Sequence, residues 1–403
     1  MAHYFPLQGP VTFRIHDFVR FLIPLGVEVT VVSRLNFSDI FQVKGGENFG
    51  GFGVFRALSL DIRLSEAIVD VFQIISTFLL TFAVALCRNV DFVIISVPPG
   101  VPGIGAFFAA KLCRKQVVFD VRDKWEDHSI SSSSYGMAKF TNRILKSTFN
   151  VLFKRASLVL GVTPSLVDYL RVRGALYAEL MPNGVDVNLF RPKQQRKRTE
   201  LRSKLGLEQE DIVLVFTGGI GGYYKPDVAV RAMYNLIRNG HLSNLKFLLI
   251  GSGQAPKMEE IIRLVGCLNL QDRVIFLGRK PREVVAEILP ICDLGVVPYD
   301  DNPLWTYPQP TKFFEYCASG LPSVAAVVEN SDLGMLIKRH GIGYVVEPLN
   351  TGEFESALND FCSKTVTERK KMGERARNMV EESFNRQKLA ELLLEHLRGL
   401  QNG

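Results

Sequence analysis

Along the first half of the chain, apolar positions switch between two periods. Residues 13–22 (FRIHDFVRFL) repeat their apolar side chains at helical spacing, and residues 27–32 (VEVTVV) form a β-branched run after Gly26. Residues 71–86 follow as 16 positions without a charge, bracketed by Asp70 and Arg88 and interrupted by Gln73, Ser76, Thr77 and Thr81. A bilayer span needs ~20 apolar residues, so this run predicts a buried or surface-docking helix. Residues 92–96, 117–121 and 158–162 read as continuously apolar strands, with helices predicted over 103–112 and from Thr163 to Arg173.

The rhythm stops between Asn183 and Asp211, in a polar stretch that holds Arg191, Lys193, Arg198 and Arg202 among its bases. It then resumes more cleanly. Residues 212–216 lead into Thr217-Gly218-Gly219-Ile220-Gly221-Gly222, residues 247–250 into Gly251-Ser252-Gly253, and residues 274–277 into Gly278. Residues 294–297, 323–327 and 344–346 supply further strands. The pattern predicts an α/β protein of two doubly wound, Rossmann-like halves, with ligands at the carboxyl ends of the strands. The expected divisions are an N-terminal domain over 1–185, a basic linker over 186–210, a second domain over 211–380, and a C-terminal helix over 381–403 that packs back toward the first domain.

Composition narrows this little but excludes much. Of 403 residues, 47% are hydrophobic and 22% charged, which removes disordered, collagenous and low-complexity readings. The net charge of +7 is mildly basic, too weak to argue for nucleic acid yet compatible with a phosphate-bearing ligand or an anionic membrane face. Six cysteines stand far apart without a C-x-x-C pair, which favours reduced thiols in a cytoplasmic setting. No H-E-x-x-H or H-x-H occurs, so no metal ligand set is expected. Residues 1–9 lack the basic start and long apolar core of a signal peptide.

Two stretches carry candidate chemistry. Glycine after a buried strand lets backbone N–H groups approach a phosphate, which fits Gly218, Gly219, Gly221 and Gly222, with Lys225 three residues on; a bare tight turn is the alternative. Between Asn302 and Pro322, Thr311 and Lys312 follow Pro310 at a predicted helix start, where hydroxyl, charge and backbone donors suit a diphosphate. Glu315 lies one turn deeper, where a carboxylate can accept from two vicinal hydroxyls; helix capping and an ordinary Lys–Glu pair would read the same. Adjacent Asp300 and Asp301 read as a solvated loop rather than a metal site.

Residues 310–322 (PTKFFEYCASGLP) resemble the nucleotide-sugar motif of the retaining glycosyltransferase family 4, in its branch with a P-[ST]-K-x-x-E donor motif. The resemblance extends to His3-Tyr4-Phe5-Pro6, the turn 96–100, Asp120-Val121-Arg122-Asp123-Lys124-Trp125, Met181-Pro182-Asn183-Gly184-Val185-Asp186, the glycine loop and Gly341-Ile342-Gly343, in family order over nearly the whole chain. It implies the GT-B fold, with two Rossmann-like domains facing across a cleft. It also implies transfer of a sugar, with retention and without a metal, from a UDP- or GDP-linked donor to a hydroxyl of a glycan or lipid-linked acceptor. By the same resemblance Glu315 holds the ribose, Thr311, Lys312 and Lys225 meet the diphosphate, and Arg279 falls at the nucleobase pocket. Asp123 and His128 are candidates for polarising the acceptor hydroxyl, the alternatives being pairing of Asp123 with Arg122 or Lys124 and an ordinary loop histidine, and Asp120, Arg122 and His128 are the acceptor-side candidates. No further cofactor is implied.

Two departures stand out. Tyr307 occupies the place of the family's first glutamate, which implies a changed hold on the donor sugar. Met1 stands immediately before Ala2-His3 where relatives carry a β-strand, so that strand is expected to be missing or the start misassigned. These departures keep open a catalytically silent GT-B subunit, and a sugar-nucleotide epimerase is a second alternative. Residues 139–155 (KFTNRILKSTFNVLFKR) mix bases and apolar residues as a helix lying on an anionic leaflet would, so a peripheral place on the inner face of the cell membrane is expected; a packed helix with a charged rim is the alternative.

Overall fold

A computed structural model describes residues 10–36, 52–59, 66–98, 100–132, 136–240, 244–302 and 304–402. The first-strand expectation and His3-Tyr4-Phe5-Pro6 lie outside the described residues. The chain divides into two compact units, one of residues 1–182 with 386–403, the other of residues 183–385.

The first unit begins with α1 (Pro10–Leu22), β1 (Thr30–Asn36), β2 (Gly53–Ser59) and α2 (Glu66–Cys87). It continues through β3 (Phe92–Val97), α3 (Val101–Leu112), β4 (Gln116–Val121), α4 (Trp125–Ser132), α5 (Gly136–Arg155), β5 (Leu158–Gly161), α6 (Pro164–Val172) and β6 (Ala178–Leu180). β1 and β2 pair in parallel as a separate ribbon, while β3-β4-β5-β6 form a parallel sheet in that order. β1 starts later than the β-branched run at 27–32 suggests, because Val27 and Val29 pack as loop residues against α1 instead. α3 and α5 bury Phe107, Phe149 and Phe153 on one face of the sheet around Phe119. On the other face, Phe18 and Leu22 of α1 meet Val118, Leu158 and Leu160.

α2 corrects the length argument made from the charge-free run. The helix extends past that run to 22 residues, and its stretch Ile68–Cys87, at mean hydropathy 2.0, is long and apolar enough to cross a membrane. It packs along α3 through Gly105, where a Cβ would sit 2.2 Å from the Ile74 carbonyl oxygen.

The second unit holds α7 (Gln195–Lys204), β7 (Ile212–Thr217), α8 (Asp227–Arg238), β8 (Leu245–Ile250), α9 (Ala255–Cys267), β9 (Val274–Gly278), α10 (Arg282–Ile288) and β10 (Leu294–Pro298). α11 (Thr311–Ala318), β11 (Ser323–Ala326), α12 (Asp332–His340), β12 (Gly343–Val346), α13 (Thr351–Ser363) and α14 (Val366–Ser383) complete it. Its six parallel strands run in the order β12-β11-β10-β7-β8-β9, with β7 and β10 wholly buried, as continuous apolar runs require. The reversal of direction beside β7 puts a crevice-forming switch between β7 and β10.

The basic stretch expected as a linker is folded into this unit. Arg202 of α7 is buried, donating to the Gln209 and Asp211 carbonyls and to Asp293, while Arg198 pairs with the same carboxylate. Its charges are spent on a fixed ion-pair network, which a pattern of polar residues could not reveal. At the other end, α15 (Arg386–Asn402) returns to the first unit, where Leu389, Leu393 and Leu397 join the α1 cluster.

A buried ion pair clamps α1. Arg14 donates to Asp120 of β4 at 2.7 and 3.1 Å and to the Met181 and Pro182 carbonyls. Burial alone would raise the Asp120 carboxyl, but Arg14, Arg122 and the Ser96 hydroxyl hold it below its ordinary 3.8. Arg14→Met should cost about 3 kcal/mol at neutral pH, since it strands a buried carboxylate. The pair's contribution is present above 3.8 and disappears as pH falls through the depressed value, so the gap between variant and wild type should close in acid. Urea unfolding against pH checks this, and an unchanged midpoint at pH 7 would refute the clamp.

Candidate active site

At the carboxyl ends of β7 and β8 the chain approaches itself more closely than side chains allow. Gly251 has φ +154°, and a Cβ there would lie 1.8 Å from the Gly218 carbonyl oxygen. Gly253 is packed in the same way against the Ile220 carbonyl. These two glycines therefore let two loops touch, while Gly218, Gly221 and Gly222 take up φ of +125°, +91° and +61° in the loop itself. Gly219 has open space where its Cβ would be.

Beneath this loop lies Lys312. Its Nζ would be 2.9 Å from a methyl on Gly218 and stands 3.4 Å from the Tyr224 ring centroid and 3.9 Å from that of Phe216. The side chain is buried and, among the described residues, its Nζ has no hydrogen-bond acceptor. Burial pushes its pKa well below the ordinary 10.5, and the nearby Glu315 carboxylate opposes this only in part. A dry amine between two rings holds its proton less tightly because neither ring fully replaces the lost hydration.

The helix that carries Lys312 is fixed from behind. Tyr316 of α11 accepts from the Thr217 backbone N–H at 2.8 Å, and Gly295 leaves room for its ring, since a Cβ there would sit 2.3 Å away. Ahead of the helix, Asn183 donates to the Gln309 carbonyl and the Gln309 side chain donates to that of Asp332. Pro310 is extended at the helix entry, which leaves Thr311 half-buried at the first turn. Tyr307 is buried, and Trp305 packs at a tilt against the rings of Tyr223 and Tyr299.

Several expected residues gather here and others do not. The backbone N–H of Lys225 donates to the Pro298 carbonyl at 2.8 Å, which holds it at the end of β10 beside the Tyr224–Tyr299 hydroxyl pair. Glu315 is half-buried with its Oε1 3.9 Å from Arg282 Nε. Arg282, the first residue of α10, thus meets α11, whereas Arg279 stands exposed on the preceding turn. Sequence reasoning missed Arg282 because it follows Pro281 rather than the glycine; a proline-started helix after Gly278 was the available signal. It also missed Lys257, whose side-chain stem lies against Gly221 while its Nζ pairs with Glu260.

The first unit places the other candidates separately. Asp120 is committed to Arg14, and Arg122 donates to the Pro98 carbonyl with its pKa lowered to about 10, chiefly by burial. Asp123 follows β4 in a half-buried position. His128 falls in α4, with its side chain outside the described residues. Asp300 accepts from the Trp305 indole and the Asn302 N–H, an ordering of that loop the sequence did not indicate. No group of metal-ligating side chains occurs among the described residues.

Residues 197–379, a little under half of the chain, match the model of the family "Glycosyl transferases group 1". A D-inositol 3-phosphate glycosyltransferase of Rhodococcus opacus is 28% identical over 224 residues, covering 55% of this chain and 47% of the relative. The chain thus aligns with about half the length of the curated relatives it matches. Sucrose-phosphate synthase of Thermosynechococcus elongatus superimposes with a TM-score of 0.75 at 17% identity, over 100% of this chain and 96% of that one. HepE of Anabaena, solved in complex with UDP-glucose, gives 0.73 at 15% identity over 99% and 98%. The fold is GT-B, and within the second unit residues 197–379 are similar to group 1 glycosyl transferases.

Proposed function

We propose that this protein is a retaining glycosyltransferase that moves a sugar from a UDP- or GDP-linked donor to a hydroxyl of a glycan or lipid-linked acceptor, working peripherally at an anionic membrane face. The observation that carries the reading is Lys312, an unpartnered buried amine beneath a glycine loop at the carboxyl edge of the sheet. The match to group 1 glycosyl transferases and the UDP-glucose complex of HepE support it.

In this mechanism the bond between the anomeric carbon and the diphosphate breaks with its electron pair going to phosphate. The transition state is lowered by charge placed where that pair arrives, here Lys312, Lys225, Thr311 and backbone N–H groups of the glycine loop. These groups supply the positive charge without a metal. Glu315 accepts from the ribose hydroxyls, positioned by Arg282. The acceptor oxygen attacks on the face the diphosphate leaves, and its proton passes to the departing phosphate. Asp123 polarises that hydroxyl.

Two outcomes test this. Donor binding gives Lys312 an anionic partner and restores its proton, so binding takes up a proton between the depressed and restored pKa values, and affinity falls as pH rises through that window. Without ligand, folding expels the same proton, so ligand-free stability should rise with pH from the depressed value toward 10.5. Lys312→Met should remove that slope, raise the ligand-free melting temperature by several degrees and abolish proton uptake in calorimetry across buffers. A destabilised variant that still takes up the proton would refute the assignment. Separately, Glu315→Ala should weaken UDP- or GDP-sugar binding about 10-fold, the loss of one or two charged hydrogen bonds, with the fold intact. Unchanged affinity by calorimetry would remove Glu315 from the donor site.

A further inference from the structure

α2 is inside out. Its buried side presents Gln73, Thr77, Thr81 and Ala85, four residues apart, with Gln73 donating to Ser59 of β2 at 2.9 Å. Its outward side presents Ile68, Val71, Ile75, Leu79 and Leu86, each 53–62% exposed and again at helical spacing. A helix stabilised only by its own unit would place these sets the other way round, because burying polar groups costs and exposing this apolar stripe gains nothing. An occupant outside the unit has to cover it.

The neighbouring helices say what that occupant is. Phe108 and Leu112 of α3 lie three and seven residues beyond Gly105, so they continue the exposed surface on the side turned to α2. α5, on the same face of the sheet as α3, exposes Phe140, Ile144 and Val151. Neither α3 nor α5 contains an acid. Both end in bases, Lys111 with Arg114 and Lys115 after α3, Lys154 and Arg155 at the end of α5, and Arg88 follows α2. Acids enter only as Glu66 and Asp70 at the start of α2 and Asp91 beyond its end. Lys146 of α5 is already paired with Asp127 and takes no part.

We propose that α2 and α3 form an anionic-lipid docking surface, the outward stripe of α2 lying in the interfacial layer and the bases at the helix ends meeting phosphate headgroups. An aliphatic stripe edged by cations that form no ion pair among the described residues fits the acyl boundary and charged plane of such a leaflet, and the polar inner side of α2 stays attached to β2 and α3. A spanning orientation would break the Gln73–Ser59 bond and expose those hydroxyls to acyl chains. The inference rests on the peripheral part of the proposed function and assigns it to a surface other than α5 alone.

The test is co-sedimentation of the full chain with phosphatidylcholine vesicles containing 30 mol% phosphatidylglycerol, beside pure phosphatidylcholine. Binding should require the anionic lipid and weaken at least 10-fold in Ile75→Gln/Leu79→Gln and in Arg114→Gln/Lys115→Gln, with melting temperatures held. A fluorophore on Cys87, which is exposed at the end of α2, should shift to the blue with anionic vesicles in a Cys267→Ser background. Binding that survives both double substitutions but is lost in Arg143→Gln/Lys154→Gln overturns the α2–α3 surface and leaves the peripheral reading standing. No binding by any form overturns both. A dimer in solution that Ile75→Gln/Leu79→Gln dissociates, without vesicle binding, overturns the proposal in favour of a second copy.

Discussion

An amine held dry between two aromatic rings is the constraint on which the second unit's carboxyl edge is organised. Lys312 lies where a side chain on Gly218 would crowd its Nζ, and Gly218 can lie there only because Gly251 lets the neighbouring loop touch its carbonyl. The helix start, the glycine loop and the end of β10 are therefore one object. Tyr316 holds α11 against β7 from behind, and the Lys225 backbone holds the loop's far end to Pro298. The electrostatic cost of Lys312 is concentrated where an anionic ligand would relieve it.

The first unit solves a different problem. Its charged residues at the end of β4 serve the fold before any chemistry, since Asp120 anchors Arg14 and Arg122 caps the Pro98 carbonyl. Glu126 and Arg173 make a second buried pair between α4 and α6, which ties the loop after β4 into the core. The apolar surplus of this unit is turned outward on α2, so its stability and its surface character have separate origins.

Legibility in the sequence follows from the range of the interactions. Strands 116–121, 212–217 and 294–298 were readable because burial on both faces favours apolar runs, and 92–97 because residues 92–95 are all apolar although Ile94 is exposed. β2 and β6 were not, since Arg56 and Gly53 break the apolar run of Gly53–Ser59 and Ala178–Leu180 is too short to show a period. The basic stretch at 191–204 misled for a related reason: polarity reads as exposure unless Asp293, some ninety residues on, is seen beside it. α2 misled by its length, because its first turn contains Glu66 and Asp70 and so falls outside any charge-free window.

The order of residues by itself determined two α/β halves, the glycine loop and the Pro310–Glu315 helix start, because period, glycine placement and helix entry are local properties of the chain. Tertiary structure alone decided that Lys312 is buried rather than displayed, that Arg282 meets Glu315, and that Asp120 is bound to Arg14. It also decided which side of α2 faces water. Each of these depends on what a distant segment brings within a few ångströms, and burial, pairing and pKa are set by that neighbour and not by the residue's own surroundings in sequence.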